Sequence, residues 1–171
     1  MGHGARDSGK VMALAGMVSA ALQRALGDKL VSVALFGSAA RGTDRPGSDL
    51  DILVILEDCP HSYAKRSKWF LPLLDEARES NEYRRLEACG TPLEPSFLIL
   101  ALEEARAHPP IFLDMVEEAK ILYDPTGQLQ KELEAVRERL SALRSRKKHL
   151  PDGSWYWVLK PDLKPGEVIK L

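Results

Sequence analysis

Two aspartates at the start of an aliphatic run, Asp49 and Asp51, have the type and spacing that chemistry needs. On an extended strand alternate side chains point to the same side, about 7 Å apart along the chain, so the two carboxylates are expected to converge. Neighbouring carboxylates repel each other, and a cation or a shared proton relieves that repulsion. Magnesium takes oxygen ligands of this kind and usually keeps substrate phosphates in its shell. The pair therefore predicts a metal site for a nucleotide.

The segment before the aspartates contains residues suited to phosphate binding. Gly37 lets a ligand approach the backbone closely, and Ser38 offers a hydroxyl and an amide at the start of a helical turn. Arg41 can add a charge-assisted contact. A Gly-Ser turn after a strand, or two aspartates at a strand end, is also common without any function. Each motif alone is therefore weak, and the prediction depends on their combination.

Two strands and a loop are needed to bring these residues together. Residues 30–36 are β-branched and apolar and end at Gly37, which predicts a buried strand, and residues 49–56 predict a second one. The stretch 37–48 between them is rich in Gly, Ser, Thr, Asp and Pro, which predicts a loop with one helical turn. Apolar residues at helical spacing over 10–26 predict a first helix that ends at Gly27.

The rest of the chain continues with helices and short strands. Residues 62–89 are expected to be helical, 96–101 to form a third strand and 121–123 a short fourth one. Short helices are predicted over 102–107 and 111–119, and a longer helix from Leu129 to about Lys148. This order predicts a mixed α/β (α+β) fold, in which a short, twisted, mixed β-sheet is backed by helices and followed by a C-terminal helix and an extended tail.

Composition narrows the class of protein but not its activity. With 24 basic and 25 acidic residues, no global field favours nucleic acid or an anionic membrane, so any phosphate binding must be local. Cys59 and Cys89 have no metal-ligand spacing and are interpreted as reduced thiols. No stretch approaches the roughly 20 apolar residues of a membrane span. We expect a cytoplasmic protein with no membrane partner.

The segment GSAARGTDRPGSDLDILV, residues 37–54, resembles the signature of the DNA polymerase beta-like nucleotidyltransferase superfamily. The shared features are a Gly-Ser pair, a downstream glycine and a Ser-Asp-x-Asp motif that opens the next strand. The order of elements extends the resemblance to about Ala101. The compact size is similar to that of minimal nucleotidyltransferases, including those paired with helical toxin proteins. The catalytic domain is then expected to span residues 1–127, and the C-terminal helix and aromatic tail residues 128–171.

The resemblance implies an enzyme that moves a nucleoside monophosphate from a nucleoside triphosphate such as ATP to an acceptor hydroxyl, releasing pyrophosphate. Asp49 and Asp51 would carry two magnesium ions, which activate the acceptor and neutralise phosphate charge. The nucleotide-binding residues would be Gly37, Ser38, Arg41 and Ser48.

The resemblance also implies a third carboxylate, from a later strand, that binds metal or assists deprotonation of the acceptor. The common pattern, an aspartate within an apolar strand, is missing from this sequence. Glu94 is our candidate for this catalytic and metal-binding role, because it immediately precedes the third strand. The alternative is a solvated glutamate at a strand entrance.

The C-terminal region contains two further patterns. A basic run ends the last predicted helix, where the helix dipole favours positive charge, and it could also guide an anionic polymer. Its members are Arg144, Arg146, Lys147, Lys148 and His149. Downstream, Trp155 and Trp157 lie on one face of an extended segment and Tyr156 on the other. They are expected to anchor the tail on the core, or to stack on bases or dock a partner.

Three functions stay open at this point. The first is an active nucleotidyltransferase whose acceptor is a protein, a small molecule or an RNA end. The second is an antitoxin-like or regulatory nucleotide-binding protein that acts through a helical, toxin-like partner. The third is a sensor that binds a nucleoside triphosphate without transferring it.

Overall fold

A computed structural model describes residues 8–44, 48–79, 81, 84, 95–152 and 154–169. Two residues singled out above, Cys89 and Glu94, lie outside these described ranges. A short 3-10 turn, Gly27–Lys29, follows the first helix. In chain order the helices and strands are α1 (Ser8–Leu26), β1 (Leu30–Leu35), α2 (Gly37–Arg41), β2 (Leu50–Leu56), α3 (Tyr63–Arg78), β3 (Pro95–Ala101), α4 (Leu102–Arg106), α5 (Phe112–Glu118), β4 (Lys120–Tyr123), α6 (Gln128–Ala142), β5 (Arg146–His149) and β6 (Trp155–Val158).

Helix α1 forms because its apolar residues recur every three or four positions, which places them on one face. That face is buried. Gly27 stops the helix with a φ of 52°, a left-handed conformation that glycine adopts without steric cost. Neither α1 nor any other described helix is long and apolar enough to cross a membrane.

The four strands β1–β4 form one mixed sheet in the order β3-β2-β1-β4. Strand β1 runs antiparallel to both of its neighbours, whereas β2 and β3 run parallel to each other. A parallel pair needs a long crossover, and helix α3 lies within that connection. The predicted α+β fold, with a short mixed sheet backed by helices, is confirmed.

The sheet is covered on both faces, so the core has two layers. On β2, Ile52 and Val54 pack in one layer with the apolar face of α1 and with Phe70 of α3. Leu53 and Ile55 pack in the other layer, with residues of α4, α5 and α6. Burial on both faces explains why β2 is apolar at nearly every position after its aspartate.

Helix α6 belongs to the second layer, in which Leu129, Leu133, Val136 and Leu140 are buried. The carboxylate of Asp124 fixes the start of this helix. It accepts a hydrogen bond of 2.9 Å from the amide of Gln130 and one of 2.8 Å from the hydroxyl of Ser32, which is fully buried on β1. The sheet and α6 are thus joined by polar as well as apolar contacts. The division at residues 127 and 128 stays a prediction.

The end of α6 differs from the prediction of a helix reaching about Lys148. The helix ends at Ala142, because Arg144 has a φ of 55°, a left-handed conformation that closes helices. The amide of Ser145 then bonds to the carbonyl of Leu140 at 2.9 Å. Beyond this turn, β5 pairs antiparallel with β6. The interpretation of the whole basic run as a helix end was therefore wrong, and part of the expected extended tail is a β-hairpin.

A half-buried arginine connects α3 to the neighbouring elements. The guanidinium of Arg66 donates hydrogen bonds to the carbonyl of Ile99 on β3 at 2.5 Å and to the carboxylate of Glu104 on α4 at 2.8 Å. It also bonds to the carbonyl of Pro60 at 2.9 Å. The hydrogen bond from Arg66 is the main reason why the pKa of Glu104 lies below its ordinary value. Both partners of this ion pair therefore stay charged at neutral pH.

Candidate active site

The turn after β1 positions the glycine and serine that were predicted to bind phosphate. The amide of Phe36 bonds to the carbonyl of Asp51 at 3.0 Å, which holds the end of β1 beside the start of β2. The chain then enters α2 at Gly37, whose φ is 69°. Ser38 follows in the first turn of this short helix and is half-buried. A hydrogen bond of 3.0 Å from the amide of Thr43 to the carbonyl of Ser38 closes the helix.

Gly37 is required by a close contact as well as by its φ. A Cβ atom at this position would collide with Oδ2 of Asp51 and would lie 3.2 Å from its Cγ. The carboxylate of Asp51 therefore lies directly against the backbone of the Gly-Ser turn. The structure brings together two motifs that are separated by a loop in the sequence.

The two aspartates interact electrostatically at this point. Asp51 is half-buried at the second position of β2, and Asp49 is exposed just before the strand. Burial raises the pKa of Asp51, the charge of Asp49 raises it further, and the nearby charge of Arg41 opposes both effects. A carboxylate with these neighbours is destabilised in its ionised form, and a bound cation would relieve that destabilisation.

These carboxylates fit a hard cation in their chemistry, because both offer oxygen donors and they lie near enough to interact electrostatically. Among the described residues, no group of three His, Cys, Asp or Glu side chains forms a cluster that could hold a metal ion. Asp49 and Asp51 are thus two candidate ligands, and Glu94 lies outside the described residues. Ser48, which opens the Ser-Asp-x-Asp motif, is half-buried next to them.

Arg41 has a partner that the sequence did not predict. Its guanidinium bonds to the carboxylate of Glu118 on α5 at 3.1 Å, and the other oxygen of that carboxylate accepts a bond of 2.9 Å from Lys147 on β5. Asp114, also on α5, is half-buried and its charge interacts with both cations. A mixed cluster of charges therefore adjoins the Gly-Ser turn. No local pattern could reveal it, because 77 positions separate Arg41 from Glu118.

Substitution of Glu118 tests the contribution of this charge cluster to stability. Burial raises its pKa, but hydrogen bonds from Lys147 and Arg41 outweigh burial, so the pKa lies below its ordinary value. A carboxyl whose pKa is lowered by folding stabilises the fold above its unfolded pKa, and this contribution is lost as the pH falls through its folded pKa. We expect Glu118→Gln to reduce the free energy of unfolding by about 1 to 2 kcal/mol at pH 7, since the ion pairs are partly buried.

Urea unfolding at pH 7 and in acid would measure this effect. The difference between Glu118→Gln and the natural chain should shrink as the pH falls below the folded pKa. Glu138→Gln, which removes the same charge from an exposed position of α6, serves as the control and should change little at either pH. A difference that persisted unchanged in acid would contradict the electrostatic origin.

This chain is similar to one family of known proteins. The model of the nucleotidyltransferase domain family matches residues 18–108, which is more than half of the chain and includes α2, β2 and β3. No match was found among curated proteins.

Several solved structures are distantly similar. A toxin-antitoxin crystal structure with AMP-PNP shares 19% identity over 75% of this chain and 92% of that chain, with a TM-score of 0.45. The toxin-antitoxin MntA-HepT shares 19% identity over 77% and 91%, with a TM-score of 0.42. The tri-AMPylated Shewanella oneidensis HEPN toxin in complex with MNT antitoxin gives 14% identity over 78% and 92%, with a TM-score of 0.41.

Proposed function

Since this chain belongs to the nucleotidyltransferase domain family, we propose that it transfers a nucleoside monophosphate from a nucleoside triphosphate to an acceptor hydroxyl. The observation that carries the proposal is the position of the Asp51 carboxylate against Gly37, with Asp49 beside it. This arrangement places the acidic motif and the Gly-Ser turn at one point. A triphosphate bound to the turn would therefore lie next to the carboxylates.

Phosphate binding is assigned to the turn and its neighbours. Gly37 has no side chain, so the backbone can approach the phosphates, and the amides at the start of α2 would donate to them. Arg41 contributes positive charge, which its ion pair with Glu118 holds in position beside Asp51. The proposed nucleotide-binding residues are Gly37, Ser38, Arg41 and Ser48.

Magnesium is assigned to Asp49 and Asp51, and the proposal includes two ions. The raised pKa of Asp51 supports this assignment, because a divalent cation would offset the repulsion between the two carboxylates. When bound, the metal supplies Lewis-acid stabilisation of phosphate charge. Glu94 is proposed as the third carboxylate. It directly precedes Pro95, which pairs with Leu50 between the two aspartates.

The proposed reaction is an in-line displacement. An oxygen of the acceptor forms a bond to the α-phosphorus, the bond from that phosphorus to the β-bridging oxygen breaks, and pyrophosphate leaves. The proton of the acceptor hydroxyl passes to the acceptor-side carboxylate, for which Glu94 is the candidate. The chain contributes mainly by positioning the reactants and by balancing their charge.

A transfer assay tests this proposal. The chain is incubated with cell extract and each of four α-labelled triphosphates, with and without magnesium. We expect labelled product and pyrophosphate from the natural chain with magnesium, and neither from the double variant Asp49→Asn, Asp51→Asn. The matched control is Glu57→Gln, Asp58→Asn, which removes two exposed carboxylates just beyond the other end of β2 and should leave transfer unchanged.

Other outcomes of these experiments would indicate a different function. Transfer that survives in the double aspartate variant would overturn the residue assignment. Magnesium-dependent nucleotide binding without pyrophosphate release would indicate a sensor. Co-purification of a stable helical protein that does not depend on the aspartates would favour the antitoxin-like or regulatory alternative.

A further inference from the structure

The hairpin formed by β5 and β6 has two chemically different faces. Residues paired across an antiparallel ladder share a face, and successive residues alternate between faces. Lys148 pairs with Tyr156, and Arg146 pairs with Val158, so these residues share one face, here called the outer face. Lys147 pairs with Trp157 on the opposite, inner face.

The inner face attaches the hairpin to the domain. Lys147 bonds to Glu117 and Glu118 on α5 at 2.9 Å each, and its ammonium lies 4.2 Å from the ring centre of Trp155. Trp157 packs against the second layer of the core. These contacts fix the orientation of the hairpin, and they determine which face remains open.

The outer face is basic, aromatic and exposed. Arg146 and Lys148 are exposed, and Tyr156 retains 45% of its surface. Neither strand contains an acidic residue. Within the part of the chain that the structure describes, no ion pair or hydrogen bond involves the side chain of Arg146 or Lys148. Two uncompensated cations thus lie on the strand beside an open aromatic ring.

The hairpin also lies close to the candidate active site. One carboxylate, that of Glu118, contacts Arg41 at 3.1 Å through one oxygen and Lys147 at 2.9 Å through the other. Arg41 in turn lies near enough to Asp51 to affect its pKa. A ligand on the outer face would therefore bind close to Lys147, which is joined through Glu118 to Arg41.

We propose that the outer face binds a single-stranded nucleic acid, with Arg146 and Lys148 on phosphates and Tyr156 stacked on a base. Basic grooves combined with exposed aromatic rings are the usual means of binding single strands. A protein partner fits less well, because lysine is depleted from protein interfaces, whereas two neighbouring exposed cations are complementary in charge to phosphates. As an extension of the proposed function, the terminal hydroxyl of the bound strand would be the acceptor that displaces pyrophosphate.

Fluorescence anisotropy with the full chain tests the binding step. The probes are a labelled 12-nucleotide RNA of mixed sequence, the same sequence as single-stranded DNA, and the RNA duplex. We expect single strands to bind better than the duplex, and the preference between RNA and DNA identifies the natural strand. Tyr156→Ala should weaken binding roughly five- to 150-fold, whereas Tyr156→Phe should keep it, because stacking needs only the ring.

Substitution of Arg146 and Lys148 tests the phosphate contacts, independently of Tyr156. Arg146→Glu with Lys148→Glu should reduce the slope of log affinity against log salt by about 1.4, since each lost phosphate contact is worth about 0.7 for a single strand. The control is Lys65→Glu with Lys131→Glu, which makes the same charge change at exposed positions of α3 and α6. The control should leave the slope unchanged.

Clear results would overturn the proposal. Absence of binding to either single strand at low salt would do so. Equal losses of affinity in the hairpin variants and in the control would do so too, as would a result in which Tyr156→Ala weakens binding to proteins of an extract but not to nucleic acid. The test is separable from the proposed function, because anisotropy needs neither magnesium nor triphosphate. Asp51→Asn should bind the strands normally while losing transfer.

Discussion

Asparagine in place of Asp51 is expected to reduce nucleotide transfer more than about 100-fold and, at the same time, to raise the melting temperature at pH 7. Loss of transfer follows from the proposed metal role, because changes even to residues around a metal ligand typically cost 10- to 100-fold. The gain in stability follows from the burial and charge that raise the pKa of Asp51. Active sites commonly trade stability for function in this way.

The direction of the stability effect depends on pH. A carboxyl with a raised folded pKa is easier to ionise in the unfolded chain, so stability falls as the pH rises from the unfolded pKa through the folded pKa. The asparagine variant avoids this loss. Its advantage over the natural chain should therefore be complete at pH 7 and should disappear below the unfolded pKa, near pH 3.8.

Thermal unfolding in the presence of EDTA, followed by titration with magnesium, measures both effects. Magnesium should raise the melting temperature of the natural chain, because a ligand that binds only the folded state stabilises it, and it should raise that of Asp51→Asn much less. Asp28→Asn, at an exposed position after α1, is the control and should change neither quantity. A variant that melted lower than the natural chain at pH 7 would contradict the assigned cause of the pKa shift.

Alanine in place of Gly37 is the second large effect that we expect. The φ of 69° strains any side chain by about 1 to 2 kcal/mol, and the new Cβ would push the carboxylate of Asp51 away from the turn. Since a displacement of about 1 Å from a reactive geometry can cost 100-fold in rate, transfer should fall by about that factor. The fold should persist, because the core layers do not depend on this position.

Gly127→Ala separates the two causes. Gly127 has a φ of 67°, almost the same as that of Gly37, but nothing lies within 4 Å of the Cβ that alanine would add. Both variants should therefore lose similar stability in urea unfolding, whereas Gly37→Ala alone should lose transfer. Equal transfer by the two variants would mean that the contact between Gly37 and Asp51 has no catalytic importance.

The sequence predicted those parts of the molecule that depend on local pattern. The apolar run of β2 and the helical spacing of α1 are set by residues within each element, so their bounds agree with the structure to within two residues. The electrostatic interaction of Asp49 with Asp51 also follows from local pattern, since alternate side chains of a strand point to the same side.

The parts of the molecule that were not predicted depend on contacts between residues that are far apart in the sequence. The residues RKKH of β5 have no strand pattern of their own, and they form a strand because the aromatic residues of β6 pair with them. The end of α6 depends on the left-handed φ of Arg144, a residue type that does not signal a helix end by itself. Glu118 connects Arg41 with Lys147 across 77 and 29 positions, a distance at which periodicity carries no information.

The hydrogen bonds of Arg66 affect how this protein can associate with other chains. Among the described residues, strand β3 is an edge of the four-stranded sheet, and edge strands invite pairing with strands of other molecules. Here the carbonyl of Ile99 is already bonded to Arg66, and Pro95 at the start of the strand has no amide hydrogen to donate. The opposite edge, β4, has only four residues and begins with the exposed Lys120. Both edges are thus protected against aggregation by strand addition.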